Sequence, residues 1–304
     1  MTPTNNALAL AVVCAGLSWT GVVHAQWITH FNHDFEDAIS KDDTVQVTVF
    51  LDTQKDVNAP QKNGTTFLQA AAYWGKTNAV QLLLDRGAKP DLADKHGRTA
   101  LHYAVIFNAC EMGTRIPLGL QWGKKNACQL LLQNGGKATV RDEDGNLPLH
   151  WAVHPHCCDP PVVARDVCEL LLAKGGEINA TNGIGLTPLH LAVEYGGPTN
   201  LCEFLLAKGV DINATNGHGR TPLHFVADYH VPMNLCEFLL AKGASVAVTN
   251  DQGETALTAA ERAGNDDMAE LLRRHMMKKQ QEKTPGSALE PNTASPGTAL
   301  PRRP

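Results

Sequence analysis

Apolar residues recur with a helical period through most of this chain, in short segments that end at glycine. One stretch, GLTPLHLAVEYGGPTNLCEFLLAKGVDINATN, begins at Gly185. It is followed by a near copy, GRTPLHFVADYHVPMNLCEFLLAKGASVAVTN, which begins at Gly219. Each copy contains two amphipathic segments and a polar connection. The pattern therefore predicts a pair of helices and a tight turn in every copy.

Related units divide most of the chain. They begin at glycines 64, 97, 145, 185, 219 and 253, which are spaced by 33, 48, 40, 34 and 34 residues. A period near 33 predicts one elongated repeat domain instead of two globular ones. The two long spacings carry their extra residues between the two helices of adjacent units. We therefore expect two insertions, NACEMGTRIPLGLQWGKK and HPHCCDPPVVARD, to lie beside each other.

The ends of the helices are specified locally. Thr187 is placed to cap the first helix of its unit, and Pro188 follows at a position where a missing N–H costs nothing. Gly209 ends the second helix. In the connection, Asn216 and Gly217 can adopt left-handed conformations, so the segment predicts a hairpin turn that projects from the stack.

The TPLH motif, the later LL and KG, and the DINA segment at this period resemble the ankyrin repeat family, over residues 35–275. The resemblance implies an all-α solenoid of stacked helix pairs with short β-hairpin fingers, and a role in protein recognition without catalysis or a cofactor. Three positions depart from the pattern. Leu147 replaces the capping Thr, and Gln69 and Thr258 replace the motif His.

The remaining boundaries follow from composition. Residues 1–25 read as a signal peptide because an apolar run of 7–17 precedes a small-residue cleavage pattern that ends at Ala25. This predicts export, to the periplasm or as a secreted protein, and leaves open an effector that acts on a host. The predicted order is as follows: signal peptide 1–25, lead segment 26–34, N-terminal cap 35–63, repeats from 64, 97, 145, 185 and 219, C-terminal cap 253–275, and a basic helix end with a disordered Pro-rich tail 276–304.

Charge and motifs exclude several classes of function. A net charge of −5 and a pI near 6.2 provide no basic footprint for nucleic acid. The apolar run in the signal peptide is too short for a membrane span, so none is expected after its removal. No paired carboxylates, phosphate-binding glycine loop or activated nucleophile is recognisable. We therefore predict a monomeric, non-enzymatic protein with no metal and no cofactor, which binds another protein.

Two residue types recur at fixed positions of the unit. Neighbouring units stack about 10 Å apart, too far for the histidines to share a metal ion or for the cysteines to form a disulfide. The family resemblance implies that the histidines form hydrogen bonds at the repeat junction. Buried cysteines in such columns behave as small apolar side chains. The two columns are His102, His150, His190 and His224, and Cys128, Cys168, Cys202 and Cys236.

The insertions carry the chemistry that the repeats do not explain. If the two loops touch, Cys110 can form a disulfide with Cys157 or Cys158, which export would favour. Metal binding by these cysteines with His154 and His156 is an alternative, although the spacing matches no established zinc pattern. These residues support a second hypothesis, a redox or metal-linked protein. A third interpretation is that the side chains only fill the loops.

The family resemblance implies a partner-binding groove. It places one column of the unit, rich in aromatic residues, on the concave side with the preceding residue, whereas Tyr103, Trp151, Leu191 and Phe225 lie on the packed side. Aligned aromatic side chains are typical binding anchors, although the rings can instead pack on the next unit. The predicted partner-binding residues are Tyr73, Trp74, Ile106, Phe107, Glu194, Tyr195, Asp228 and Tyr229, with His96 and His218 at the finger tips.

Overall fold

The fold is known from a computed structural model. It describes residues 38–39, 41, 43–53, 56–61, 64–106, 118–153, 164–194, 196–229 and 231–283. The predicted signal peptide, lead segment and Pro-rich tail lie outside these ranges, as do Phe107, Tyr195 and the cysteines of the two insertions.

The described residues form a succession of short helices. A single helix comes first, and six pairs follow, one pair for each unit that the spacing predicts. The helices are α1 (Thr44–Thr53), α2 (Phe67–Tyr73), α3 (Thr77–Asp85), α4 (Ala100–Val105), α5 (Leu118–Gln133), α6 (Pro148–Val153), α7 (Ala164–Ala173), α8 (Pro188–Glu194), α9 (Thr199–Ala207), α10 (Pro222–Asp228), α11 (Met233–Ala241), α12 (Ala256–Arg262) and α13 (Asp266–Lys283).

The pairs stack in two layers. The first helix of each pair packs against the first helix of the next pair, and the second helices pack in the same way. We call these the inner and outer helices. One apolar core runs along the whole stack, and α1 closes it by packing against the outer helix α3. Each unit buries its apolar stripe against its neighbours, so the stack is held together by contacts between adjacent units.

The inner helices begin as the sequence predicts. Thr221 is extended, Pro222 is the first helical residue, and Thr221 forms a reciprocal capping box with His224. Gln69 and Thr258, which replace the motif His in the two terminal units, also take part in capping. Gln69 accepts from the Thr66 N–H (2.7 Å) and reaches the next turn through its amide, which donates to the Arg98 carbonyl at 2.9 Å. A glutamine thus reproduces both hydrogen bonds of the motif histidine.

The connections between units differ from the predicted β-hairpins, because the described residues contain no β-strand. Each connection, which we call a finger, is instead a tight turn closed by its own Asp or Asn. In one finger the Asn216 Oδ1 accepts from the N–H groups of His218 and Arg220, both at 2.9 Å. The predicted left-handed residue was also wrong: Gly219 has a φ of 71°, and Gly217 has no positive φ.

Candidate protein-binding surface

The finger tips form a continuous row along one edge of the stack. At every described junction between two fingers, one backbone N–H donates to a carbonyl in the preceding finger. These bonds run from Glu143 to His96 (2.8 Å), from Gly183 to Asp144 (2.8 Å), from Gly217 to Ile184 (3.0 Å) and from Asp251 to His218 (3.1 Å). The backbone of the row is therefore fixed before any partner binds.

The glycine that ends each finger makes this close approach feasible. Gly185 has a φ of 81°, and a Cβ at this position would lie 2.3 Å from the Gly217 nitrogen. A larger residue would be both strained and in collision with the next finger. Other side chains of the tips are more exposed, although Glu143 among them pairs with His96. Lys95, Glu143 and His218 are exposed, and Ile184 is a 52% exposed apolar residue.

The motif histidines join each inner helix to the next finger. In His190, Nδ1 accepts from the Thr187 N–H at 3.2 Å, so Nε2 carries the proton and donates to the Arg220 carbonyl at 2.9 Å. His102, His150 and His224 make equivalent bonds. Burial lowers the pKa of His190 to about 4, which keeps the ring neutral. The structural role predicted for this column, hydrogen bonding at the repeat junction, is confirmed.

The cysteine column lies in the core of the outer helices. Cys128, Cys168, Cys202 and Cys236 are buried and unbridged. Burial raises the pKa of each thiol to about 12, so these groups are poor nucleophiles. Their packing role, too, is as predicted.

At the N-terminal end, the first insertion changes the groove. Its second part is not a loop, as expected, but the beginning of the 16-residue helix α5, and Gly123 there approaches the Gly75 carbonyl. The neighbouring Lys124 is only 3% exposed and donates to the Ile106 carbonyl at 2.6 Å. Its ammonium also lies over the Tyr73 ring, 4.6 Å from the centroid.

Three of the predicted groove residues at this end are therefore partly or wholly covered. Tyr73 and Trp74 are half-buried, and their rings meet edge to face with centroids 5.4 Å apart. Ile106 is 1% exposed, because α5 packs over it. The expectation that Ile106 faces an open groove was wrong.

At the C-terminal end, the column that precedes the aromatic one carries Glu194 and Asp228, with Arg220 and Arg262 nearby. Glu194, the last residue of α8, is only 5% exposed, so it too was wrongly expected in the open groove. Burial raises its pKa to about 7. The Tyr229 phenol lies beside this carboxylate, and burial together with the Glu194 charge raises the pKa of Tyr229. Tyr229 itself is half-buried at the end of α10, against the Phe225 ring.

A chain of ion pairs continues from this point along the inner helices. Asp228 binds the Arg220 guanidinium through one oxygen and that of Arg262, at 2.9 Å, through the other. Arg262 also reaches Glu254 at 2.8 Å. All four side chains retain some exposure, with Arg262 the most open at 54%. We call this set, together with Glu194 and Tyr229, the acidic cluster.

Reasoning from the repeat alone missed the charged groups that define both ends. Lys124 belongs to an insertion, Arg220 directly follows a finger glycine, and Arg262 occupies the column of Glu194 and Asp228 in the last unit. A partial signal was present, because the residue after the finger glycine is charged in three units, at Arg98, Arg220 and Glu254. A charge at such a position lies at the base of a finger and can reach the end of an inner helix.

The described ranges contain neither a candidate metal site nor a candidate membrane-spanning helix. No group of three or more His, Cys, Asp or Glu side chains there is arranged to hold a metal ion. Among the helices listed above, none is long and apolar enough to cross a membrane. The cluster of Cys110, His154, His156, Cys157 and Cys158 lies outside the described residues, so both its disulfide and its metal-binding alternative stay predictions.

Comparison with known proteins decides the family. A family model described as Ankyrin repeats (3 copies) matches residues 36–114, 161–249 and 189–284, which together cover more than half of the chain. This chain belongs to the ankyrin repeat family. Ankyrin repeats are generally non-enzymatic modules of protein–protein interaction, so the family supports the predicted class of function. It does not identify a partner.

Two further similarities are narrower. The crystal structure of the human ASB11 ankyrin repeat domain superposes with a TM-score of 0.63 at 23% sequence identity, over 79% of this chain and 96% of that domain. This ankyrin match shows the fold alone. A segment of 58 residues is 45% identical to the E3 ubiquitin-protein ligase hecd-1 of Caenorhabditis elegans. The segment is 19% of this chain and 2% of that protein, so the ligase activity in its name is not transferred to this ankyrin chain.

Proposed function

We propose that this ankyrin repeat protein is a non-enzymatic scaffold that binds another protein along the finger row and the adjoining concave face. One observation carries the proposal. The finger backbones are tied to one another in a regular row, while the side chains that they present differ from unit to unit and are exposed. A rigid row of this kind loses little conformational entropy on binding.

The available anchors differ along the surface. The fingers supply Ile184 and His218, and the concave face supplies Trp74 and Tyr229, which keep part of their surface accessible. Aromatic side chains with a polar atom are common hot spots of protein interfaces. The buried Ile106 and Glu194 do not contribute contact area in this conformation.

The proposal is tested by crosslinking capture with tagged chain from the cells that make it, followed by measurement of the affinity for the partner found. We expect the double variant Ile184→Ser, His218→Ala to weaken binding about tenfold or more, as loss of hot-spot contacts does. A second variant, Trp74→Ala with Tyr229→Ala, tests the concave face.

The matched control replaces two exposed residues of the outer helices, Gln129→Ala and Glu237→Ala. Thermal unfolding must first establish that all variants keep the fold. Equal affinity of the finger and groove variants to wild type would contradict the proposal, and so would an equal loss in the outer-helix control.

A further inference from the structure

A buried oxygen without a hydrogen-bond partner lies in the acidic cluster. It is Oε1 of Glu194, which is shielded from solvent and accepts no hydrogen bond. Buried polar atoms are nearly always paired, because an unpaired acceptor costs free energy that the fold must supply elsewhere. The atom lies where α8 packs on α10, next to the partly exposed Tyr229.

The charges around this carboxylate do not satisfy it. Both guanidinium groups of the acidic cluster are engaged with other acids: Arg220 with Asp228, and Arg262 with Asp228 and Glu254. Arg220 also donates to the His224 carbonyl at 3.3 Å. The cluster thus contains three carboxylates and two guanidinium groups. When Glu194 is ionised, the uncompensated negative charge is on Glu194.

We propose that the Glu194 carboxylate is an anchor for a lysine or arginine side chain of the bound protein. A cationic donor complements both features of the site, the negative charge and the free acceptor. A metal ion is a poorer fit, because the described residues provide no set of three ligands here. This inference rests on the proposed function, since it assigns the chemistry of one contact within the same concave face.

Access to the carboxylate requires one side chain to move. The Tyr229 phenol lies beside it, at the residue that follows α10, where the backbone is extended (ψ 135°). With this ring displaced, a ligand cation would donate to the unpaired Glu194 oxygen, and the ring would be free to pack along the aliphatic part of the ligand side chain. The two arginines can keep their present partners in this arrangement.

The test uses random linear peptides displayed on phage and selected on the full chain. We expect the selected peptides to share a lysine or arginine, and the variant Glu194→Gln to bind the best of them about 10- to 100-fold more weakly. Replacement of the shared basic residue by an uncharged one, norleucine for lysine or citrulline for arginine, should cost wild type a similar factor but cost Glu194→Gln almost nothing. Glu237→Gln, on the exposed face of α11, removes the same charge and should bind as wild type does.

The outcomes separate this inference from the function on which it rests. Selected peptides without a common basic residue, or bound equally by Glu194→Gln and wild type, would overturn the anchor. If such peptides still lost affinity in the Trp74→Ala, Tyr229→Ala variant, the concave face would remain the binding surface. Failure to select any peptide sensitive to either change would count against both proposals.

Discussion

Each end of the concave face buries one charged side chain near the ends of the inner helices, and the two charges have opposite signs. At the N-terminal end, the ends of the inner helices are covered by α5, and the buried charge is the ammonium of Lys124, which donates to helix carbonyls. At the C-terminal end no insertion intervenes, and the buried charge is the carboxylate of Glu194, with one oxygen unpaired. The contacts of Lys124 are suited to holding the fold together, whereas the unpaired oxygen of Glu194 is suited to binding a ligand.

This difference shows what an insertion does in a repeat protein. In a regular stack each inner helix packs on its own outer helix and on neighbouring inner helices, but α5 reaches back to α2, the inner helix of the preceding unit. The insertion also brings Lys124 of α5 onto the Ile106 carbonyl, and Ile106 is buried. In the regular units, Tyr229 keeps part of its surface accessible, so the concave face there remains the candidate binding surface.

The largest effect that we predict is a loss of stability from a substitution at the N-terminal end of the concave face. Glycine in a helix is normally improved by alanine, by about 1 kcal/mol. At Gly123 the added Cβ would lie 2.3 Å from the Gly75 carbonyl oxygen, so Gly123→Ala should instead destabilise the protein by about 3 kcal/mol. Urea unfolding measures the change. The exposed Asn126→Ala in the same helix is the control, and a stabilised Gly123→Ala protein would show that α5 does not dock as described.

A smaller loss of stability is expected when only the Lys124 ammonium is removed. Lys124→Met keeps the bulk of the side chain but leaves the carbonyls of Ile106 and Tyr103 without their ammonium donor. Unfolding free energy should fall by about 2 kcal/mol, the usual cost of an unpaired buried polar group. Lys125→Met, which loses a partly exposed ion pair with Asp166, should cost less than about 1 kcal/mol. Equal losses from the two neighbouring lysines would contradict the distinction.

The corresponding change at the C-terminal end should have the opposite sign. Burial raises the pKa of Glu194 to about 7, so the folded protein binds more protons than the unfolded chain between about pH 4.5 and pH 7. The stability that the protonated carboxyl contributes is thus lost as pH rises through about 7. Glu194→Gln cannot ionise and should exceed wild type by about 1 to 2 kcal/mol at pH 8.

Denaturant unfolding across this range gives the test. The difference between wild type and Glu194→Gln should shrink to near zero below about pH 4.5, where Glu194 is protonated in both the folded and the unfolded chain. The charged and titratable neighbours Arg220, Asp228, Tyr229 and His224 are present in both proteins and cancel in the comparison. A constant difference at all pH values would mean that Glu194 does not titrate in this window. A gain in stability together with a loss of peptide binding is the expected mark of a functional residue.

Sequence reasoning succeeded where one unit suffices to explain a residue. The roles of His190 and Cys202 follow from the repeat, because every copy places them against the same neighbours. Sequence reasoning failed where a contact depends on how one segment packs against another unit. Nothing in the repeat predicts that Lys124 reaches the Ile106 carbonyl, or that Glu194 is covered by the next unit. The β-strands expected in the fingers are absent from the described residues: the Asn216 side chain closes its turn together with one backbone bond, from the Asn216 N–H to the Arg220 carbonyl at 2.9 Å.

The finger row also has a mechanical consequence. Each described junction along this edge carries one backbone hydrogen bond between fingers, and a side chain of the inner helix adds a bond to the following finger. If the molecule is pulled from its two ends, the junctions bear the load in series, and each can yield without disturbing units beyond its neighbours. The stack would then extend in steps of one repeat.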